Sequence, residues 1–360
     1  MTPLEGRLLD QDATRPPFVV RLKQDPGADP DDAGFWRDPT GAVHVVARAG
    51  AFTFVPADPG VVLDGVVALV VPADGLVSFL IRPGEGRDNT FLLTEACDQA
   101  CVMCAQPPRP VHHARWDLLR TAVRLAPPDA IIGLTGGEPL LLKGALFPWL
   151  AACHAERPDV AFHLLTNAQR LEPGDASVLR ACAGWVLWGV PLYGPDAASH
   201  DPVVGKAGAW ARLLPALNLL AQTGSAVELR TVLMASTVPV MARLADFVVR
   251  HLSWIEVWAL MRLEAQGFAR EAWETLSVAG EDGFAPVAAA LRQCETAGVA
   301  AVLYNFPRCT IPEAWRSWAV ASISDWKRSY PPECEGCPER GPCGGYFSSD
   351  PVFSPLEHRA

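Results

Sequence analysis

No run in this sequence is long and apolar enough to span a bilayer. Its N-terminus, MTPLEGRLLDQDATRPP, has no basic start followed by the apolar run that marks an export signal. These two absences lead us to expect a cytoplasmic protein with no membrane partner. Positive charge is also short: 30 Lys and Arg stand against 40 Asp and Glu, a formal net charge of -10. A surface built mainly to grip phosphate backbones is a poor expectation, and nucleic acid is not expected as a partner, although a local basic groove is not excluded. Apolar residues at 50% and charged residues at 19% are an ordinary globular composition, and 360 residues suffice for one large enzyme domain with smaller attachments. Cysteine, by contrast, is plentiful. There are 10, in clustered spacings, and in a chain without an export signal such clusters point to metal rather than to disulfides.

Composition changes along the chain divide it into four parts. Residues 1–85 are rich in Pro, Gly and Asp and carry short β-branched runs, AVHVVARAGAFTFV and GVVALVV, between turn signals, which predicts a small β-rich domain. The segment RPGEGRDN supplies a loose boundary. Over 86–270, strand-like runs (NTFLLTEAC, AIIGLTGGE, AFHLLTNA, GWVLWGVPLYG, VELRTVLMAS, WIEVWALMRLE) alternate with helix-length segments such as WDLLRTAVRLA, LFPWLAACHAE, GAWARLLPALNLLAQTG and VPVMARLADFVVRHL. Six such units predict an α/β fold with a parallel sheet, a partial (β/α)6 TIM-type barrel; eight would need more chain. Residues 271–304 read as a bridging helical segment. Residues 305–360 hold four cysteines and little apolar periodicity, so a metal cluster would supply the stabilisation that a core cannot.

Cys97, Cys101 and Cys104 follow the first strand of the barrel pattern. Three thiolates within eight residues suit three corners of a [4Fe-4S] cluster and leave the fourth iron open for chemistry. In a β/α barrel the loop after a strand lies on the face where active sites are built. By themselves these cysteines also suit a zinc site with a distant fourth ligand. Gly136-Gly137-Glu138-Pro139 ends the next strand: its glycines allow close backbone approach to a ligand, and Glu138 can accept a hydrogen bond from an ammonium group. The plainer reading is a strand-to-helix turn with an acidic residue at the helix N-terminus.

Together the two motifs resemble the radical S-adenosylmethionine (SAM) superfamily, over about Thr90 to Gly267. The resemblance implies that Cys97, Cys101 and Cys104 bind a [4Fe-4S] cluster and act as the catalytic cysteines. It implies further that SAM chelates the open iron, that Gly136, Gly137 and Glu138 hold its methionyl ammonium, and that Pro139 belongs to the same cofactor-binding turn. Thr166-Asn167 looks like the family's third-strand turn, with Ala168 at a Gly position, and Asn167 would touch the cofactor. Leu192-Tyr193-Gly194-Pro195 with His200-Asp201 resembles the fourth-strand segment of peptide-modifying members. Arg230 would reach the SAM carboxylate, or serve as a structural ion-pair partner. The sequence departs from the pattern at Met103, where an aromatic is common at the adenine contact, and at Pro191, where many relatives carry Ser.

Cys309, Cys334, Cys337 and Cys343 form the last cluster. Four thiolates fully ligate a second, auxiliary [4Fe-4S] cluster, and a closed shell suits electron transfer or structure; a four-cysteine zinc ribbon remains the alternative. The tail resembles SPASM or twitch extensions. With Gln106-Pro107-Pro108, Ser322 to Lys327 and Pro332 to Cys337, the chain is similar to the C-type radical SAM maturases of the His-Xaa-Ser peptide system.

That resemblance implies an oxidoreductase that cleaves SAM reductively to methionine and a 5′-deoxyadenosyl radical, which modifies a ribosomally synthesised precursor peptide (a RiPP), by oxidative cross-linking in our expectation. An electron donor such as flavodoxin or ferredoxin and a partner maturase from the same system are the other implied partners. A maturase of a folded protein, an enzyme acting on a metabolite and a non-catalytic iron-sulfur scaffold are the alternatives. Cys153, Cys182 and Cys294 stand among apolar neighbours and read as buried small hydrophobes, and Trp315, Trp318 and Trp326 as packing in the tail.

Overall fold

The computed structural model describes residues 5–9, 14–84, 89–278 and 284–353. Alternating burial builds the first strands: β1 (Glu5–Leu8), β2 (Phe18–Lys23), β3 (Asp32–Arg37), β4 (Val43–Ala47), β5 (Gly50–Pro56), β6 (Val67–Val71) and β7 (Leu76–Ile81). In β7, Val77, Phe79 and Ile81 face inwards while Leu76, Ser78 and Leu80 are less buried, the period of two that a half-buried strand requires. The strands close in the order β1-β5-β4-β3-β2-β6-β7, with β7 pairing back onto β1. All their pairings are antiparallel except β2 with β3. Among the described residues closure leaves no unpaired edge strand, and Leu22, Val43, Phe54, Val66, Ala68, Val70 and Val77 fill the interior without solvent exposure. The expected β-rich domain is thus a closed barrel. Its expected boundary at 85/86 lies outside the described residues.

The chain then alternates strand and helix: β8 (Asn89–Thr94), α1 (Trp116–Arg124), β9 (Ile131–Gly136), α2 (Lys143–Glu156), β10 (Ala161–Leu165), α3 (Ala176–Cys182), β11 (Val186–Pro191), α4 (Ala197–Val204), α5 (Ala209–Gln222), β12 (Ala226–Leu233), α6 (Met241–His251) and β13 (Val257–Arg262). After α7 (Phe268–Glu271), α8 (Trp273–Leu276) and α9 (Ala285–Ala297) comes β14 (Ala301–Tyr304). Strands β8 to β14 form one seven-stranded sheet in sequence order, consistent with a partial TIM-type barrel. The last four are parallel, with Pro191 opposite Arg230, Arg230 opposite Ala259 and Ala259 opposite Val302. The six-strand expectation therefore falls one short. Residues 271–304 hold a strand as well as helices, and β14 is too short for its AVLY to show a period against the helix before it.

By contacts the chain divides into two compact units, residues 1–92 with 113–134 and 144–162, and residues 93–112 with 135–143 and 163–360. Within the first, Arg157 donates to the carbonyls of Val123, Arg124 and Ala126 at 3.2, 2.8 and 2.9 Å, adding side-chain donors to the C-terminal end of α1. Within the second, the tail carries the two-residue strands β15 (Arg328–Ser329) and β16 (Tyr346–Phe347), paired antiparallel. No helix among the described residues is long and apolar enough to cross a membrane.

Candidate active site

The loop after β8 is held at both ends by backbone. Ala100 and Val102 donate to the carbonyls of Val204 and Val203 at 3.1 and 2.9 Å, and Phe268 donates to the Cys104 carbonyl at 2.9 Å. Cys97, Cys101 and Cys104 all lie in this anchored stretch and are half-buried. Burial pushes the Cys97 thiol up to about 11 and that of Cys101 to about 12, the latter helped by the neighbouring Cys104 and Cys97 charges. Without a cation these sulfurs keep their protons. A metal group draws the protons off as it binds, which is the behaviour expected of a ligand set rather than of free nucleophiles.

All three cysteines line a cavity of about 320 Å³ within the second unit. Met103, buried, lines it beside them, and Thr135, Gly136 and Gly137 form the next part of the wall. Leu165, Thr166 and Asn167 at the end of β10, Gly189 and Pro191 on β11, and Arg230 and Val232 on β12 continue it, with Met261 to Glu264 and Asn305 completing it. Five of the residues expected around a cofactor therefore share one cavity with the cysteines: Met103, Gly136, Gly137, Asn167 and Arg230.

Glu138 and Pro139 do not line it. Glu138 is fully buried behind the wall: its Oε1 accepts from Leu140 N at 2.8 Å and from Thr166 Oγ1 at 2.6 Å, and its Oε2 from Asn167 N at 2.6 Å. Burial pushes its carboxyl up to about 7, while these three bonds pull the other way. Glu138 thus ties the turn after β9 to the turn after β10, and Pro139 begins the short 3-10 turn that Glu138 caps. The glycines have no alternative here. A Cβ on Gly136 would sit 2.1 Å from the Thr94 carbonyl oxygen, and one on Gly137 would sit 2.2 Å from that of Ala96.

Several residues of the site carried no signal in the sequence. Asp98, inside the cysteine loop, accepts from Asn167 Nδ2 at 2.8 Å and from Lys206 at 2.9 Å and pairs with Arg170 at 3.2 Å. Burial alone would raise its carboxyl, but these partners hold it below the usual range. Glu228 on β12, buried, accepts from Arg230 at 2.5 Å. Two residues of the cavity wall are tied to the tail: Arg262 to Asp350 at 2.5 Å and Glu264 to Lys327 at 3.1 Å.

Tyr193 at the wall has its backbone N–H 3.3 Å from Nδ1 of His200, which is buried and held down to about 4 by desolvation. The unfolded chain takes up a proton at His200 near pH 6.5, the folded chain only near pH 4. Stability therefore falls as the pH drops through that window, by up to about 3 kcal/mol from this residue. Urea unfolding of wild type and a His200→Gln variant will show the gap between them narrowing by that amount on acidification; a constant gap contradicts a neutral, buried His200.

In the tail, the Cys334 thiol is raised by burial and then by the charges of Cys309, Cys337 and Cys343, which lie near it. Backbone N–H groups of Arg308 and Gly345 point at Cys343 Sγ, each at 3.4 Å, and the Tyr346 hydroxyl lies 3.5 Å from Cys309 Sγ. Such donors suit anionic sulfur. Among the described residues, no three His, Cys, Asp or Glu side chains converge on a position for a single metal ion. Cys153, Cys182 and Cys294 are buried, as expected, and burial raises all three thiols.

Residues 91–240 match the family model described as the radical SAM superfamily. No curated protein matches the sequence. Among solved structures, the chain is similar to Streptococcus suis SuiB bound to S-adenosylmethionine, at 15% identity and a TM-score of 0.47, over 61% of this chain and 50% of that one. It is similar to anSMEcpe with bound AdoMet and the Cp18Cys peptide, at 13% identity and a TM-score of 0.42, over 49% of this chain and 50% of that one. A radical SAM methyltransferase from Sphaerobacter thermophilus matches at 14% identity and a TM-score of 0.44, over 75% and 76% of the two chains. The chain thus spans about half the length of SuiB.

Proposed function

We propose that the radical SAM domain of residues 91–240 works in a peptide maturase, binding a [4Fe-4S] cluster through Cys97, Cys101 and Cys104 and SAM in the adjoining cavity. The observation that carries this reading is that the three cysteines and the Gly136-Gly137 turn, from separate strand ends, line one cavity. The donor set fits the group: three half-buried thiols and no fourth cysteine in the wall. When bound, cluster and SAM supply one-electron cleavage of SAM and hence hydrogen abstraction from a substrate.

The chain's own residues bind and orient. Gly136 and Gly137 bring bare backbone to the ligand, and Glu138 fixes that turn against Thr166 and Asn167. Met103 and Tyr193 offer apolar surface that keeps water from the ligand, and Arg230 offers a cation to its carboxylate. Pro191 stands opposite Arg230 in the β11–β12 register and contributes no hydroxyl.

In this reading Cys309, Cys334, Cys337 and Cys343 hold an auxiliary [4Fe-4S] cluster, a flavodoxin or ferredoxin supplies electrons, and the substrate is a His-Xaa-Ser precursor peptide that becomes cross-linked. The tail's N–H···S contacts and its ties to Arg262 and Glu264 support a cluster acting beside the cavity. The test is anaerobic reaction of reconstituted, reduced protein with SAM and a His-Xaa-Ser peptide, reading deoxyadenosine and peptide mass together. Peptide lighter by two hydrogen atoms per cross-link is expected from wild type, and SAM cleavage without that product from Cys337→Ala. Deoxyadenosine with unchanged peptide mass rules out the peptide substrate, and full product from Cys337→Ala rules out a redox role for the tail.

A further inference from the structure

A polar cluster sits on the sheet beside Arg230, with Glu228 buried and His163, Arg230 and Tyr304 half-buried. Glu228 has a side chain only 4% exposed, yet it takes Arg230 Nη1 on Oε1 at 2.5 Å and the Tyr304 hydroxyl on Oε2 at 3.1 Å. His163 Nε2 lies 3.5 Å from the same Oε1. Strands β12 and β14 therefore bond one carboxylate, β10 brings His163 near it, and β11 makes room: a Cβ on Gly189 would lie 3.0 Å from His163 Nε2 and 2.5 Å from Leu165 Cδ2. Burying a carboxylate such as Glu228 carries a desolvation penalty that a half-exposed partner only partly offsets, so stability alone does not explain its place here.

Of these four polar side chains, Arg230 alone lines the cavity. A guanidinium carries five N–H donors in a rigid fork, and anchoring one edge on Glu228 sets the direction of the rest. Glu228 itself cannot swing, because Tyr304 holds its second oxygen. Burial keeps His163 below its usual range, so the cluster is not loaded with a second cation at neutral pH.

We propose that Glu228, braced by Tyr304, is a positioning residue that fixes Arg230 as the cavity's receptor for a ligand carboxylate. The assignment rests on the reading of the cavity as the SAM site, which makes that group the methionyl carboxylate. Glu228 touches neither ligand nor reacting atoms; it acts through Arg230.

The experiment measures equilibrium binding of SAM and of decarboxylated SAM to anaerobically reconstituted wild type, Glu228→Gln and Tyr304→Phe, with iron content and circular dichroism as controls for folding. In Glu228→Gln, SAM affinity falls about tenfold while that for decarboxylated SAM holds, so the preference between them narrows about tenfold. Tyr304→Phe moves the preference the same way by less, and it carries the test should Glu228→Gln not fold. An unchanged preference in both variants overturns the assignment, as does an equal loss for both ligands in variants with wild-type iron and fold. Wild type that binds neither ligand overturns the reading of the cavity, and the positioning role with it.

Discussion

Replacing Cys97, Cys101 and Cys104 together by Ala removes about four irons per chain and leaves only what the tail cysteines bind. The loss is complete because each thiolate supplies a separate corner, and among the described residues no other Cys, His, Asp or Glu lines the cavity except Glu264, which is paired with Lys327. The fold survives, since the loop is held by backbone bonds from Ala100, Val102 and Phe268 and not by the cysteines themselves. Iron analysis with electron paramagnetic resonance of the reduced protein reads the result. A triple variant that keeps both its iron and the wild-type spectrum contradicts the ligand assignment.

The second large effect is that of Gly137→Ala. Its new Cβ would come within 2.5 Å of both the oxygen and the carbon of the Ala96 carbonyl, one residue from Cys97, and backbone cannot yield as a flexible side chain does. Overpacking of this kind costs about 1–3 kcal/mol where neighbours relax, and more where they cannot. Either the turn moves out of the cavity wall or the cysteine loop moves away from it. SAM affinity therefore falls by at least about tenfold while the three cysteines still bind iron, a separation that titration calorimetry beside iron analysis detects. Unchanged SAM affinity would show that this turn does not face the ligand.

The parts of the site legible in the sequence are those written in short, local spacings. The cysteine loop and the Gly136-Gly137 turn each occupy a few consecutive residues, and the helices around Leu119, Leu213 and Leu244 show their period within a dozen residues. Closure of the first barrel was not legible, because pairing of β7 with β1 joins residues some seventy positions apart with nothing local to announce it. Nor was β14, whose four residues are fewer than a period needs.

Glu138 shows the same limit at finer scale. Its place in the motif is plain in the sequence, but the partners that occupy its carboxylate, Thr166 and Asn167, arrive 28 and 29 residues later on another strand end. Glu228 is the extreme case: a lone acidic residue in an apolar strand, given meaning only by Arg230 two places on, Tyr304 from β14 and His163 from β10. Tertiary convergence of this kind leaves no spacing to read.

Formation of 5′-deoxyadenosine from SAM by the anaerobically reconstituted, reduced wild-type protein is the most direct test of the central claim, that the cysteine-lined cavity binds and cleaves SAM. The account predicts deoxyadenosine from wild type and none from the triple cysteine variant at equal protein concentration. Wild type that carries a full complement of iron yet makes no deoxyadenosine would contradict it.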